Sequence, residues 1–290
     1  MRILVTGGSG YVGSAAVAAL RARGHDVVTI GRHPGVDTAV CDLTDEEAVH
    51  KAVRVVGDCD AVVHLAARAH DFRGLSLDEL LLANTTTTRN LIAALRAEAQ
   101  TASVRFVHAS SVAVYELLDG PRGLTAAQAP YAASKLQAEQ LLHAEPLRSL
   151  CVLRFAPIYD RTHLQDVAKR VFLPGTRVKL RLCPPPVHSV CSLDRAVQAI
   201  VTAVERALPE QELQNVADVT PTSQHDLLNW FPGRALPVPA SLLRALASGI
   251  GVCGAKGRKV SRLIDKFVNS SISPKPEWSA TLGWPGVTAE

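Results

Sequence analysis

The sequence predicts a doubly wound α/β fold, a parallel sheet with helices on both faces, joined to a smaller and mostly helical lobe. Three observations carry this. Short β-branched runs alternate with longer segments of helical period through the first two thirds of the chain, the pattern of strands buried on both faces and linked by crossover helices. The first run passes directly into a glycine-rich turn and then an alanine-rich segment. After Phe155 the rhythm breaks, and prolines gather from the run Pro184 to Pro186 as far as Pro239.

The strands expected in order are Arg2 to Thr6, Asp26 to Ile30, Thr38 to Cys41, Ala61 to Leu65, Arg105 to His108 and Leu150 to Phe155. Amphipathic segments, among them Ser14 to Arg23 and Asp78 to Ala97, separate them. Thr44 with Glu47 and Ser76 with Glu79 have the spacing of capping boxes and mark two helix starts. Leu193 to Glu205 reads as a helix and Leu213 to Val216 as a strand, so this stretch is expected to rejoin the main sheet. The expected division is residues 1–155, with 190–216 returning to them, and a second lobe of residues 156–189 and 217–290.

Composition excludes several classes of function. With 290 residues, 47% hydrophobic and 20% charged, the chain can bury a sizeable core. The formal charge of +4 comes from scattered Lys and Arg, so no nucleic-acid groove is expected, and a mild positive balance suits an anionic small molecule. The six cysteines, at 41, 59, 151, 183, 191 and 253, have neither zinc-site nor disulfide-framework spacing. His25, His33, His163 and His188 have no metal-site spacing either, so no metal is expected. Met1 to Val5 leads at once to Gly7, leaving no room for a signal peptide, and no apolar run approaches about 18 residues. The expectation is a soluble, cytoplasmic protein. The apolar stretch Ser241 to Val252 holds glycines and Arg244, which favours lobe packing or a homodimer contact over a membrane surface.

The glycine turn reads Thr6-Gly7-Gly8-Ser9-Gly10-Tyr11-Val12-Gly13. Gly7, Gly10 and Gly13 at this spacing allow a tight turn, a close backbone approach to a pyrophosphate and a close helix-strand contact. Any tight strand-to-helix turn can use glycines, but this one follows the first strand and opens the first helix, as a Rossmann-like dinucleotide site requires. About 20 residues on, where an acid would accept the adenosine ribose hydroxyls, the chain reads Gly31-Arg32-His33. Arg32 is either an exposed turn residue or a partner for a 2′-phosphate. Asp37, on the same loop, takes the ribose role if it folds back. The cofactor is therefore NAD or NADP, with a slight lean to NADP. Asp42 either contacts the adenine amino group or caps a helix.

Tyr131-Ala-Ala-Ser-Lys135 sets a phenol and an ammonium four residues apart, on one helix face. A nearby cation stabilises a phenolate, so the pair can exchange a proton with a substrate hydroxyl. The motif follows a strand ending in Ser110-Ser111, and hydroxyls at strand carboxyl ends sit where open α/β sheets bind ligands. A surface tyrosine beside a solvated lysine is the other reading of the pair alone.

These landmarks, with H-L-A-A at His64, Asn84 within L-L-A-N-T-T-T-T-R-N-L, S-S-V-A-V-Y at Ser110 and V-L-R-F at Val152, resemble the extended short-chain dehydrogenase/reductase family of the NAD-dependent epimerase/dehydratase type. Leu236-Pro-Val-Pro and Leu282-Gly-Trp-Pro285 are similar to its bacterial surface-polysaccharide epimerases and reductases. The resemblance implies that Tyr131 is the acid/base and that Lys135 also holds the nicotinamide ribose. It selects Ser111, four residues before Tyr115, as the hydroxyl that bonds the reacting oxygen, with Ser110 beside it as a substrate contact. It implies that Ala66 and Ala67 line the cofactor path and leaves His64 a buried strand residue; the other candidate cofactor contacts are Gly7, Gly10, Tyr11, Val12, Gly13, Arg32, Asp42, Leu43, Leu65 and Asn84. The substrate implied is a nucleotide-activated sugar, altered at a hydroxyl or keto carbon by an epimerase or oxidoreductase. The alternatives are an NADPH-dependent keto-sugar reductase and an inactive NAD(P)-sensing protein. Asp160-Arg161 and Ala156-Pro157 depart from the family pattern and bear on which sugar is bound. Arg177, Lys179 and Arg181 alternate as one strand face, exposed to solvent or, at Arg181, touching a substrate diphosphate.

Overall fold

The structure is a computed structural model, which describes residues 1–68, 75–118, 124–207, 209–251 and 254–272. The motif Leu282 to Pro285 and the end of the stretch to Val252 lie outside them. In chain order the elements are β1 (Arg2–Thr6), α1 (Tyr11–Ala22), β2 (Asp26–Gly31), β3 (Ala39–Val40), α2 (Glu46–Val56), β4 (Ala61–His64), α3 (Leu77–Leu80), a π-helical segment (Leu81–Thr86), α4 (Thr87–Ala97), β5 (Arg105–Ser111), α5 (Tyr115–Leu118), α6 (Pro130–His143), β6 (Ser149–Phe155) and β7 (Ile158–Tyr159). Then follow α7 (Gln165–Ala168), β8 (Leu180–Cys183), β9 (Val187–His188), β10 (Cys191–Ser192), α8 (Leu193–Glu205), β11 (Gln211–Val216), β12 (Thr222–Ser223), α9 (Gln224–Leu228), β13 (Leu236–Pro239), α10 (Ala240–Gly251) and α11 (Gly254–Val268). Two compact units result: Met1–Phe155 with Asp194–Val216, and Ala156–Leu193 with Ala217–Glu290.

The first unit is a seven-stranded sheet in the order β11-β6-β5-β4-β1-β2-β3, every neighbouring pair parallel. This is a Rossmann-like sheet. The chain reverses direction across it between β1 and β4, and such a switch point opens a crevice beyond the strand carboxyl ends. β4 and β6 are buried along their whole length, which is why their sequences are largely apolar rather than alternating. The interior is aliphatic, with Phe106 fully buried among Leu4, Val62, Leu91, Leu95 and Leu150.

Some expected boundaries shift for local reasons. α1 starts at Tyr11, three residues before the expected Ser14, because the glycine turn itself supplies the helix start. Ser76 and Glu79 form the expected capping box. Thr44 does not cap α2: its amide and hydroxyl both donate to the Asp42 carboxylate, and Asp45 caps the helix by accepting from the Ala48 amide. The stretch Asp78 to Ala97 is not one regular helix. At its π-helical segment the Thr87 and Thr88 hydroxyls bond back to the carbonyls of Ala83 and Asn84, a competition that distorts helices.

The second unit combines the helices α10 and α11, packed on each other, with three two-stranded pairs, β7 with β10, β9 with β12 and β8 with β13. Lys179 departs from the alternating exposed face expected with Arg177 and Arg181. Those two arginines are exposed, but Lys179 is buried, and its ammonium donates to the carbonyls of Leu228, Phe231 and Gly233 at 3.1, 2.7 and 2.9 Å. Orphan carbonyls just past α9 thus find a cation. Lys179→Met is expected to lower stability by about 2–3 kcal/mol, the scale of hydrogen bonds to a charged group, measured by urea unfolding; an unchanged midpoint would discount the nest. Among the described residues no helix is long and apolar enough to cross a membrane.

Candidate active site

The site assembles at the carboxyl ends of β1, β4 and β5. After β1 the chain turns at Gly7 with φ +70°. A Cβ there would lie 2.7 Å from the Ala66 amide nitrogen, and one at Gly13 would strike the Gly7 carbonyl oxygen. No side chain fits, so bare backbone lines the turn at the start of α1, where Tyr11 and Val12 are partly exposed. Such a cradle of amides at a helix N-terminus fits a pyrophosphate. The Thr6 hydroxyl accepts from the Ala66 amide at 3.3 Å and ties the Leu65-Ala66-Ala67 segment to the glycine turn. Leu43 is held through its carbonyl, which accepts from Asn90 of α4 at 3.0 Å.

Beyond β2, Arg32 is exposed, while Asp37 is buried and lies folded back over Gly31. Asp42 is exposed, and its bonds from Thr44 hold its carboxyl below the usual carboxylate range.

α6 packs on β5 and on the 3₁₀ turn that follows it. Pro130 opens this helix, a position where its missing N–H costs nothing. Tyr131 is partly exposed in the first turn. Lys135, one turn on, is buried, and its ammonium donates to the Ala109 carbonyl at 2.8 Å. Burial pushes its pKa down to about 8, with Glu139 working in the opposite direction. Ser111 is partly exposed at the end of β5, its Oγ accepting from the Ala113 amide at 3.2 Å. Its neighbour Ser110 points the other way: it is buried and its hydroxyl donates to Glu139. In this arrangement Ser110 is engaged inside the protein rather than offered to a substrate.

Asn84 is also engaged internally. Its side chain accepts from the Arg68 amide at 2.7 Å and donates to the Arg68 carbonyl and the Ser134 hydroxyl at 3.1 and 2.9 Å. It thereby pins the segment after β4 to α6. His64 is buried between the Thr6 and Thr88 hydroxyls, at 2.6 and 3.0 Å, and burial takes its pKa down to about 3. It stacks on His108, whose ring nitrogens have no hydrogen-bond partner and which burial likewise keeps neutral. Arg181 is exposed on β8.

One group was not singled out from the sequence. Glu139, one turn past Lys135, accepts from Arg154 Nε and Nη2 at 3.0 and 2.6 Å, with both side chains almost fully buried. The Arg154 guanidinium lies 4.9 Å from the centre of the Tyr115 ring, and the Tyr115 hydroxyl donates to Asn215. A glutamate four residues after Lys135 and an arginine inside an apolar strand were the available signals.

The chain is similar to several known proteins. The chain is 38% identical over 173 residues to a 2-alkyl-3-oxoalkanoate reductase of Stenotrophomonas maltophilia, covering 54% of this chain and 50% of that protein. It is 32% identical over 175 residues to a dTDP-glucose 4,6-dehydratase of Neisseria meningitidis, covering 49% and 48%. The match thus spans about half the length of each relative. The structure of a UDP-glucose 4-epimerase of Thermus thermophilus in complex with NAD is similar in fold, with a TM-score of 0.61, 23% identity and 92% and 99% of the two chains covered. The model of the NAD dependent epimerase/dehydratase family matches residues 3–171, more than half of the sequence, and the chain belongs to that family.

Proposed function

We propose that this protein is a cytoplasmic nicotinamide-dependent enzyme that epimerises or oxidoreduces a hydroxyl or keto carbon of a nucleotide-activated sugar. The observation that carries the reading is the Lys135 ammonium, buried against the Ala109 carbonyl one helical turn from Tyr131 and beside the strand that ends at Ser111. The glycine turn, with the Leu65 to Ala67 segment, is assigned to the dinucleotide. When bound, that group supplies the hydride acceptor and donor. In this reading Tyr131 holds or takes the proton at the reacting oxygen, and Lys135 stabilises the phenolate by charge and bonds the ribose. The Ser111 hydroxyl orients the reacting oxygen. The second unit is assigned to recognition of the sugar nucleotide, with Arg181 toward its diphosphate.

A keto-carbon reductase is the second reading, favoured by the identity to the oxoalkanoate reductase. The two separate in one experiment, in which the protein is incubated with either nicotinamide cofactor and a panel of UDP- and dTDP-sugars and the products are followed by mass spectrometry and NMR. An epimer of unchanged mass is the expected result. Net consumption of reduced cofactor would favour the reductase, loss of one water a dehydratase. No turnover despite cofactor binding would overturn the enzymatic reading.

A further inference from the structure

We propose that Asp37 accepts the adenosine ribose hydroxyls and sets a preference for NAD over NADP, in place of the acid that usually stands at the end of the second strand. The proposal rests on the dinucleotide reading above. β2 ends in Gly31, so the position from which a carboxylate usually meets the ribose is bare. Its volume is not empty. A Cβ at Gly31 would strike Asp37 Oδ2 and lie 2.9 Å from Asp37 Cγ. The carboxylate from farther along the loop thus begins where a side chain at position 31 would begin, and a larger residue there would displace it.

The loop holds Asp37 in this place from both sides. The amides of Val36 and Asp37 donate to the His33 carbonyl at 3.2 and 3.0 Å, and Asp37 Oδ2 accepts from the His33 amide at 3.0 Å. On the other side Thr38 is locked to β2 by a reciprocal pair with Thr29: the Thr29 amide donates to the Thr38 hydroxyl at 3.0 Å, and the Thr38 amide to the Thr29 hydroxyl at 3.1 Å. Asp37 is only 8% exposed, and its Oδ1 is buried with no hydrogen-bond partner. A buried carboxylate oxygen without a donor is unfavourable, and a ribose 2′- or 3′-hydroxyl supplies a donor. A 2′-phosphate supplies none and brings like charge, a repulsive element that selects against NADP. Arg32, the residue that points to NADP in the sequence, is exposed and exerts its charge on Asp42.

The test is titration of NAD and NADP into the purified protein, read by isothermal calorimetry. Wild type is expected to bind NAD at least about tenfold more tightly, the scale of one charge-assisted hydrogen bond. Asp37→Asn keeps an oxygen for the His33 amide but removes the charge, and should reduce that ratio by about tenfold or more. Gly31→Asp placed in an Asp37→Ala background returns an acid to the strand end and should restore NAD preference, which a merely structural role for Asp37 would not do. Equal or tighter NADP binding by wild type overturns the proposal, as does an unchanged ratio in Asp37→Asn or an equal loss of both cofactors there. So does a double variant with no more NAD preference than Asp37→Ala. Failure of wild type to bind either cofactor would overturn the dinucleotide reading, and the proposal with it.

Discussion

Tyr131→Phe is expected to lower turnover by at least about 100-fold while leaving cofactor affinity close to that of wild type. General acid/base groups contribute roughly 10²–10⁴-fold, and the substitution removes only the phenolic oxygen. The Lys135 side chain keeps its bond to Ala109 in this variant, because that bond does not involve the tyrosine. The pH dependence has a definite sign. Lys135 has its pKa lowered to about 8, so its ammonium is fully present well below that value and lost above it. A phenolate stabilised by that charge loses its support as pH rises, and kcat/KM is expected to fall on the alkaline side near pH 8. Near-normal turnover of the phenylalanine variant would remove Tyr131 from the chemistry.

Glu139→Ala should be the most destabilising single change at the site. Arg154 has 8% of its side chain exposed and Glu139 2%, so removing the carboxylate leaves a guanidinium buried beside the Tyr115 ring without its counter-charge. Breaking a buried pair from one side costs about 3–5 kcal/mol. Replacing both partners by apolar residues, Glu139→Leu with Arg154→Met, is expected to recover most of that loss, because no charge is then left buried. Denaturant unfolding of the three proteins measures both effects; a loss below about 1 kcal/mol in Glu139→Ala would show that Arg154 finds another partner.

The parallel sheet was legible because a strand buried on both faces is largely apolar, as in Ala61 to Val63 and Leu150 to Leu153. The glycine turn was legible because Gly7 and Gly13 admit no Cβ. What escaped depended on choices between equally suitable groups. Thr44 and Asp45 can each cap a helix, and Thr44 lost because Asp42 takes both its donors. Ser110 and Ser111 differ in sequence by nothing but position, yet the strand turns one toward Glu139 and leaves the other partly exposed. Lys179 looked like a solvated cation because it alternates with Arg177 and Arg181, and the carbonyls that hold it come from residues 228–233, about 50 positions later. Pairings at that separation leave no local pattern. The same holds for Arg154, whose place in an apolar strand makes sense only with Glu139 opposite.

The order of the sheet also sets a timetable for synthesis. β6 is fully buried and takes β11 as its outer neighbour, yet Ala156–Leu193 and α8 lie between the two in the chain. A ribosome adds about 5–20 residues per second, so for several seconds an apolar strand stands in the nascent chain with one row of amides and carbonyls unmatched. Open edges of this kind recruit other chains. A product stopped after Phe155 would keep that edge permanently, and aggregation of such a fragment is the outcome the topology implies.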